Sequence, residues 1–317
     1  MSAPVEVRAV ALGGGHGLAA SLASLRRIVG ELTAVVTVAD NGGSSGRLRD
    51  EFGVLPPGDL RQALAALCGD DDWGRTWARV LQHRFDSAGP MHEHAVGNLL
   101  IVALWELLGD QVAGLDWVGR LLGAQGRVLP MSLIPLELTA TVRGADPARP
   151  ERLGTVRGQV GVATTHGEVL AIALDPGDPP ACPEAVAAVR SADWVVLGPG
   201  SWFSSVMPHL LVPDLRAALV ETPARRVVTL NLAPQPGETE GFAPETHLDV
   251  LARHVPELRI DTVLVDGSVV DDPGRLRTAA EAIGAEVVVA DLAVADGTAR
   301  HDATKLAAAY ASLMRPD

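Results

Sequence analysis

Lysine is nearly missing from this chain of 317 residues: Lys305 is the only one among 26 basic side chains. Cysteine is scarce too. Cys68 and Cys182 have neither a partner set nor metal-type spacing, which excludes a disulfide framework or a zinc module and fits a reducing cytoplasm. Aromatic residues make up 3% and include a single tyrosine, Tyr310, so the core must be aliphatic. No stretch reaches the roughly 18 consecutive apolar residues of a membrane helix, since Glu106 interrupts the run Leu99–Leu108. No basic patch leads into an apolar block near Met1, so no secretory signal is expected. Positive charge is outnumbered: the net charge of −13 argues against nucleic acid as a partner, because that affinity rests on cations meeting phosphates.

What is present is glycine, proline and short β-branched runs. Val5–Leu12 runs straight into Gly13, Gly14, Gly15, His16 and Gly17, and an amphipathic stretch, 18–29, follows. Strand, glycine turn and helix is the opening of a Rossmann-like unit. Leu32–Ala39 reads as a second strand ending at Asp40, and continuous apolar strands of this kind suit a parallel sheet covered on both faces. From about 57 to 125 the apolar spacing turns helical. Further strands are predicted over 169–174, 194–197, 227–232, 262–265 and 286–290, with helices over 183–190, 212–220, 244–254 and 303–314. The expectation is an α/β fold with a doubly wound, mostly parallel sheet: one domain, 1–317, with a mainly helical insertion in its first half.

Four small-residue clusters follow predicted strands. Gly13–Gly17 stands where a strand ends and a helix begins, so its amides and the helix dipole favour an anion. The dinucleotide pattern G-x-G-x-x-G fails here, because Leu18 occupies the third glycine's place. Asp40, Asn41, Gly42, Ser44 and Ser45 combine a carboxylate, an amide and hydroxyls in what reads as a glycine-serine loop. Gly198, Gly200, Ser201 and Ser204 form a third cluster, and Asn231 and Gln235 belong to a fourth. If the sheet is parallel, these loops meet on one rim and suit a large polar ligand carrying phosphates. Asp59 reads either as a helix cap or as a second carboxylate beside Asp40, and His94 as a hydrogen-bonding residue at the mouth of the helix carrying Asn98. His92 and His94 alone are a poor metal signature.

The ordered segments AVALGGGHGL, VTVADNGGSSGRLR, LPPGDLR, HAVGNLL, GPGSWFSSVMPHLLV, NLAPQPGET and ARHDATKLA resemble the YvcK-like gluconeogenesis factor family, a relative of the CofD-like 2-phospho-L-lactate transferases. The resemblance implies a cytoplasmic Rossmann-like protein that binds UDP-N-acetylglucosamine and regulates central carbon metabolism, cell-wall precursor synthesis and cell shape. It matches the family's nucleotide-sugar arginine to Arg300. The chain departs from the family pattern in places. His16 replaces a threonine, Asn41 a second aspartate, Glu93 a glycine and His209 an asparagine. The family's ligand tyrosine has no match in 266–277.

Two functional expectations follow. The first is a non-catalytic regulator that requires no cofactor. Amides of Gly13–Gly17 and Gly198–Ser201 would hold a diphosphate, Asp40 and Asn41 a sugar or ribose hydroxyl, and Arg300 the phosphate charge. A regulatory protein partner and a homodimer accompany this expectation. The second is a phosphotransferase with a guanylylated donor and a deazaflavin acceptor, in which Asp40 and Asp59 would bind Mg2+.

Overall fold

The structure is a computed structural model and describes residues 5–146 and 148–315. Ten strands form two sheets. In chain order they are β1 (Val5–Gly13), β2 (Val29–Val36), β3 (Arg127–Pro130), β4 (Glu137–Arg143), β5 (Leu153–Arg157), β6 (Glu168–Asp175), β7 (Trp194–Leu197), β8 (Arg225–Thr229), β9 (Thr262–Asp266) and β10 (Glu286–Ala290). Seven of them build the main sheet in the order β10-β9-β8-β7-β1-β2-β3, and every neighbouring pair is parallel. The α/β fold and the doubly wound sheet are as the sequence implies.

Burial explains the central strands. All four residues of β7 and all five of β9 are buried, so both faces are covered and their sequences carry no alternation. The chain winds outward from β1 through β2 to β3, then returns to lay β7 against the other side of β1. The strand order therefore reverses between β1 and β7, where α/β sheets open a crevice beyond their carboxyl ends. Helices Gly58–Ala66, Asp72–Gln82, Val96–Leu108 and Gln111–Leu122 lie between β2 and β3.

Several local expectations are corrected. The second strand ends at Val36 and not at Ala39. The predicted strand over 169–174 is β6, which belongs to a separate antiparallel sheet, β5-β4-β6, and not to the parallel one. Its alternating burial shows why: only one face of that sheet is covered. Strands β3, β4 and β5 were not visible in sequence, because Glu137–Arg143 and Leu153–Arg157 mix threonine with charged residues. The glycine-serine stretch is not a loop beyond Gly42. It is the first turn of a helix, Gly43–Phe52, in which Ser44 and Ser45 are buried. Gly46 has to be glycine there, since a Cβ would collide with the Asn41 carbonyl.

Candidate functional site

The two glycine loops at the switch point touch. A Cβ on Gly17 would run into the Pro199 carbonyl and the Gly200 Cα, so the absence of a side chain at Gly17 is what lets the loops meet. Beside this contact lies an open cleft of about 450 Å3. It is lined by His16 and Gly17 from the first loop, Gly200 from the second, Asn231 and Gln235 after β8, and Arg300 after β10. Six predicted residues thus converge from four sheet-end segments.

The hydrogen bonds of the two loops differ. Gly15, His16 and Gly17 open the helix Gly15–Leu25, whose first-turn amides have no partner inside the helix. The second loop is spoken for. The Gly198 N–H donates to the Leu12 carbonyl, and the Gly198 carbonyl accepts from the Ser21 hydroxyl at 3.0 Å. The Asn231 side chain accepts from the Gly200 N–H at 2.9 Å and donates to its carbonyl at 2.8 Å. Pro199 has no N–H. The expectation that amides of Gly198 and Gly200 hold a diphosphate is therefore corrected: the chain uses them itself. Ser201 Oγ accepts from Gln235 Nε2 at 3.1 Å. Ser204 is buried away from the cleft, where its hydroxyl and its amide, with the Phe203 amide, all donate to the Glu238 carboxylate. Sequence reasoning missed Glu238, although it sits within NLAPQPGET. Burial raises its pKa, and those three donors offset only part of the rise.

Arg300 reaches the cleft as an exposed side chain held from one side. Its Nε donates to Thr298 Oγ1 at 2.9 Å and its Nη2 to Asp296 Oδ2 at 2.7 Å. The Asp296 carboxyl is held down to about 2 by the Thr298 hydroxyl and amide and by Arg300. The Nη1 edge of Arg300 makes no hydrogen bond among the described residues, so it can meet a ligand oxygen while Asp296 fixes the fork. His301 beside it also lines the cleft, and burial lowers its pKa.

A second neighbourhood lies across Gly13–Gly15, beyond the ends of β1 and β2. It gathers Gly14, Asp40, Asn41, Gly42, Ser45 and Asp59. A Cβ on Gly14 would collide with Asp59 Oδ2, and one on Gly58 would lie 3.5 Å from Asp40 Oδ2. Asp59 is pushed up to about 7 by burial first and by the Asp40 charge second, while the Gly15 N–H and Arg61 work in the other direction. Asp40 is raised by burial and lowered by the Gly42 N–H, at 2.8 Å, and by Ser45. Asp59 is thus no simple cap of its own helix, whose N-terminal residue Pro57 has no side-chain cap. Asn41 faces away from the cleft, and its Oδ1 accepts from the Val160 N–H at 3.3 Å.

Ser44, His94 and Asn98 form a buried knot below the carboxylates. The Ser44 hydroxyl accepts from Asn98 Nδ2 at 3.0 Å and from the Ala95 N–H, so its own proton points to His94 Nδ1 at 3.1 Å. Burial and then Arg47 lower the His94 pKa, which keeps the ring a neutral acceptor. The predicted hydrogen-bonding role of His94 at the mouth of helix Val96–Leu108 is what the geometry gives. The lone tyrosine serves the interior, where Tyr310 Oη bridges Ser21 and Thr229.

Comparison with known proteins agrees with this architecture. A profile of the family described as "2-phospho-L-lactate transferase CofD" matches residues 9–308. The chain belongs to the CofD-related gluconeogenesis factor family. It is 53% identical over 302 residues to the Mycobacterium tuberculosis H37Rv protein named "Putative gluconeogenesis factor", covering 94% of this chain and 88% of that one. It is 33% identical to the "Gluconeogenesis factor" of Listeria monocytogenes, over 99% of this chain and 98% of that one. A crystal structure of a UPF0052 family protein from Bacillus halodurans superposes with a TM-score of 0.86 at 31% identity, over 97% and 99% of the two chains. Among the described residues of this family member, no helix is long and apolar enough to cross a membrane, and no three His, Cys, Asp or Glu side chains converge on a metal position.

Proposed function

We propose that the chain is a cytoplasmic regulator that binds a uridine-diphosphate sugar such as UDP-N-acetylglucosamine, and that it links central carbon metabolism to cell-wall precursor supply and cell shape. The observation that carries the reading is the 450 Å3 cleft at the strand-order reversal, with a glycine-opened helix N-terminus on one wall and the free edge of Arg300 on another. The diphosphate lies on the amides of His16 and Gly17 and against Arg300. Asn231 and Gln235 frame the cleft opposite and leave the second loop to act as a rigid wall. His16 supplies a ring nitrogen at the wall of the cleft. Ligand binding then shifts the balance between two conformations that a protein partner distinguishes.

Calorimetric titration with UDP-N-acetylglucosamine, with UDP and NAD as competitors, tests the reading. Folded protein that gives no heat at millimolar ligand overturns it. Arg300→Ala is expected to weaken binding by about 2 kcal/mol, the usual worth of a hydrogen bond from a charged group, with the melting temperature unchanged because Arg300 is exposed.

A second reading, magnesium-dependent phosphotransfer, is favoured by one observation: Asp40 and Asp59 are close enough that the charge of one raises the pKa of the other. Two carboxylates and the Ser45 hydroxyl are hard oxygen donors of the kind Mg2+ takes while it keeps several waters. Asp40 and Asp59 would hold the ion, whose chemistry is to neutralise phosphoryl charge. The chain's own part is to bury both carboxylates beside the Gly14–Gly15 turn. Turnover of a guanylylated donor with a deazaflavin acceptor, lost in Asp40→Asn, separates this reading from simple binding.

A further inference from the structure

Arg61 is a buried cation that no carboxylate meets directly. It sits on the first turn of helix Gly58–Ala66, is only 3% exposed, and its Nε and Nη1 are sealed without any acceptor. No hydrogen bond or ion pair of its side chain occurs among the described residues, although Asp59 lies two residues away. Its stem runs against helix Val96–Leu108, so closely that a Cβ on Gly97 would lie 2.7 Å from its Cγ. The next residue of that helix, Asn98, is 1% exposed and carries a second sealed polar atom, Oδ1, with no donor. The nearest cations make matters worse. Burial first, and then the Arg84 guanidinium, lower the Arg61 pKa to about 10 against the pull of Asp59 and Asp40. Arg84 itself is turned toward Glu93, donating to its carbonyl at 2.7 Å.

A buried guanidinium costs several kcal/mol unless an anion and hydrogen-bond acceptors meet it. Arg61 and Asn98 come from two helices that pack together at Gly97, and each keeps a sealed polar atom without a partner. The carboxylates beside them accept from the chain's own donors, the Gly42 and Gly15 amides and the Ser45 hydroxyl, and do not turn to Arg61. The guanidinium fork favours a compact oxyanion. We propose that Arg61, with Asn98 beside it, forms a buried subsite for the phosphate or carboxylate group of a small metabolite, distinct from the nucleotide cleft and on the opposite side of the Gly13–Gly15 turn. Asn98 offers its free Oδ1 as the acceptor for a hydroxyl or protonated oxygen of the same group. The chain would then sense two ligands, one through each side of the turn.

The test uses the full chain and does not depend on the nucleotide reading. Inorganic phosphate and acetate are titrated separately by calorimetry, and the phosphate dependence of the melting temperature is recorded. One of the two anions is expected to bind. Arg61→Gln is expected to weaken it at least tenfold and to abolish the melting-temperature rise, and Asn98→Asp to do the same by repulsion. Arg61→Lys is expected to retain part of it, and Arg300→Ala, in the cleft, all of it. If Arg61→Gln fails to fold, Asn98→Asp and Arg61→Lys carry the comparison. Absence of binding by both anions at millimolar concentration overturns the proposal. So does binding that survives Arg61→Gln, or that is lost in Arg300→Ala and kept in Asn98→Asp.

Discussion

The two glycine loops at the centre of the sheet look alike in sequence and behave oppositely. Gly13–Gly17 and Gly198–Ser201 each follow a buried strand, and they face each other across the reversal of strand order. The first gives its Gly15 amide to Asp59 and keeps the His16 and Gly17 amides unpaired within its helix. The second has its Gly198 and Gly200 amides closed by Leu12 and Asn231 and its helical turn closed by Glu238. A run of small residues after a strand thus establishes that the backbone can come close to something. Whether that something is a ligand or the rest of the chain is settled by which neighbour supplies an acceptor first.

The contrast can be broken at four places. The largest effect is expected at the first loop's own carboxylate. Asp59 titrates near 7 in the fold against an ordinary 3.8, so the folded chain holds a proton that the unfolded chain releases. Its contribution therefore costs nothing below pH 4, grows as pH rises toward 7, and is constant above that. Asp59→Asn removes the charge and is expected to stabilise the fold at pH 8 by up to about 4 kcal/mol, and not at pH 4, in denaturant melts at the two pH values. A variant whose gain over the wild type is no larger at pH 8 than at pH 4 would show that Asp59 is not held as a buried acid. Next is the contact between the loops. Gly17→Ala drives a methyl into the Pro199 carbonyl and is expected to cost about 3 kcal/mol, with nucleotide-sugar binding lost, as an overpacked site with backbone on one side cannot yield.

A smaller effect is expected at the second loop. Asn231→Ala opens the Gly200 amide and carbonyl and is expected to cost about 2 kcal/mol of stability, as two backbone groups at the cleft edge lose their partner. If the second loop is a wall and not a donor, ligand affinity should fall no more than stability does; a selective loss of affinity would instead make Asn231 a ligand contact. The smallest effect on the fold is expected from Arg300→Ala, whose readout is affinity alone.

Much of the architecture was legible. Nine helices and six of the parallel strands fall where apolar spacing placed them, because a strand buried on both faces or a helix buried on one leaves a periodic trace. Among the elements that were not legible, two cases have clear physical causes. The helix Gly43–Phe52 begins with residues that are poor helix formers, and it is held by burial of Ser44 and Ser45 and by the close fit of Gly46 against Asn41. The antiparallel strand β4 is covered on one face only, and β5 is exposed along nearly its whole length. Within the site, His16, Gly17, Asn231 and Gln235 were legible because small-residue cluster and strand end coincide, and Arg300 only through the family resemblance. Arg61 and Glu238 were not, since nothing in an isolated arginine or glutamate says whether it will be sealed in the interior.

His209 marks the same boundary. Its position in the sequence gives only a departure from the family's asparagine. In the fold it is buried with both ring nitrogens near backbone carbonyls, Val206 at 3.2 Å and Val35 at 3.0 Å, and burial lowers its pKa to about 4. A neutral ring donates to only one of them. The sequence by itself determined that strands and helices alternate, that the central strands are buried on both faces, and that glycine-rich turns follow them, because these depend on neighbours along the chain. Which amides stay free, which carboxylates share a charge and which arginine is left without an anion were decided by tertiary structure, because each depends on a group brought in from a distant part of the chain.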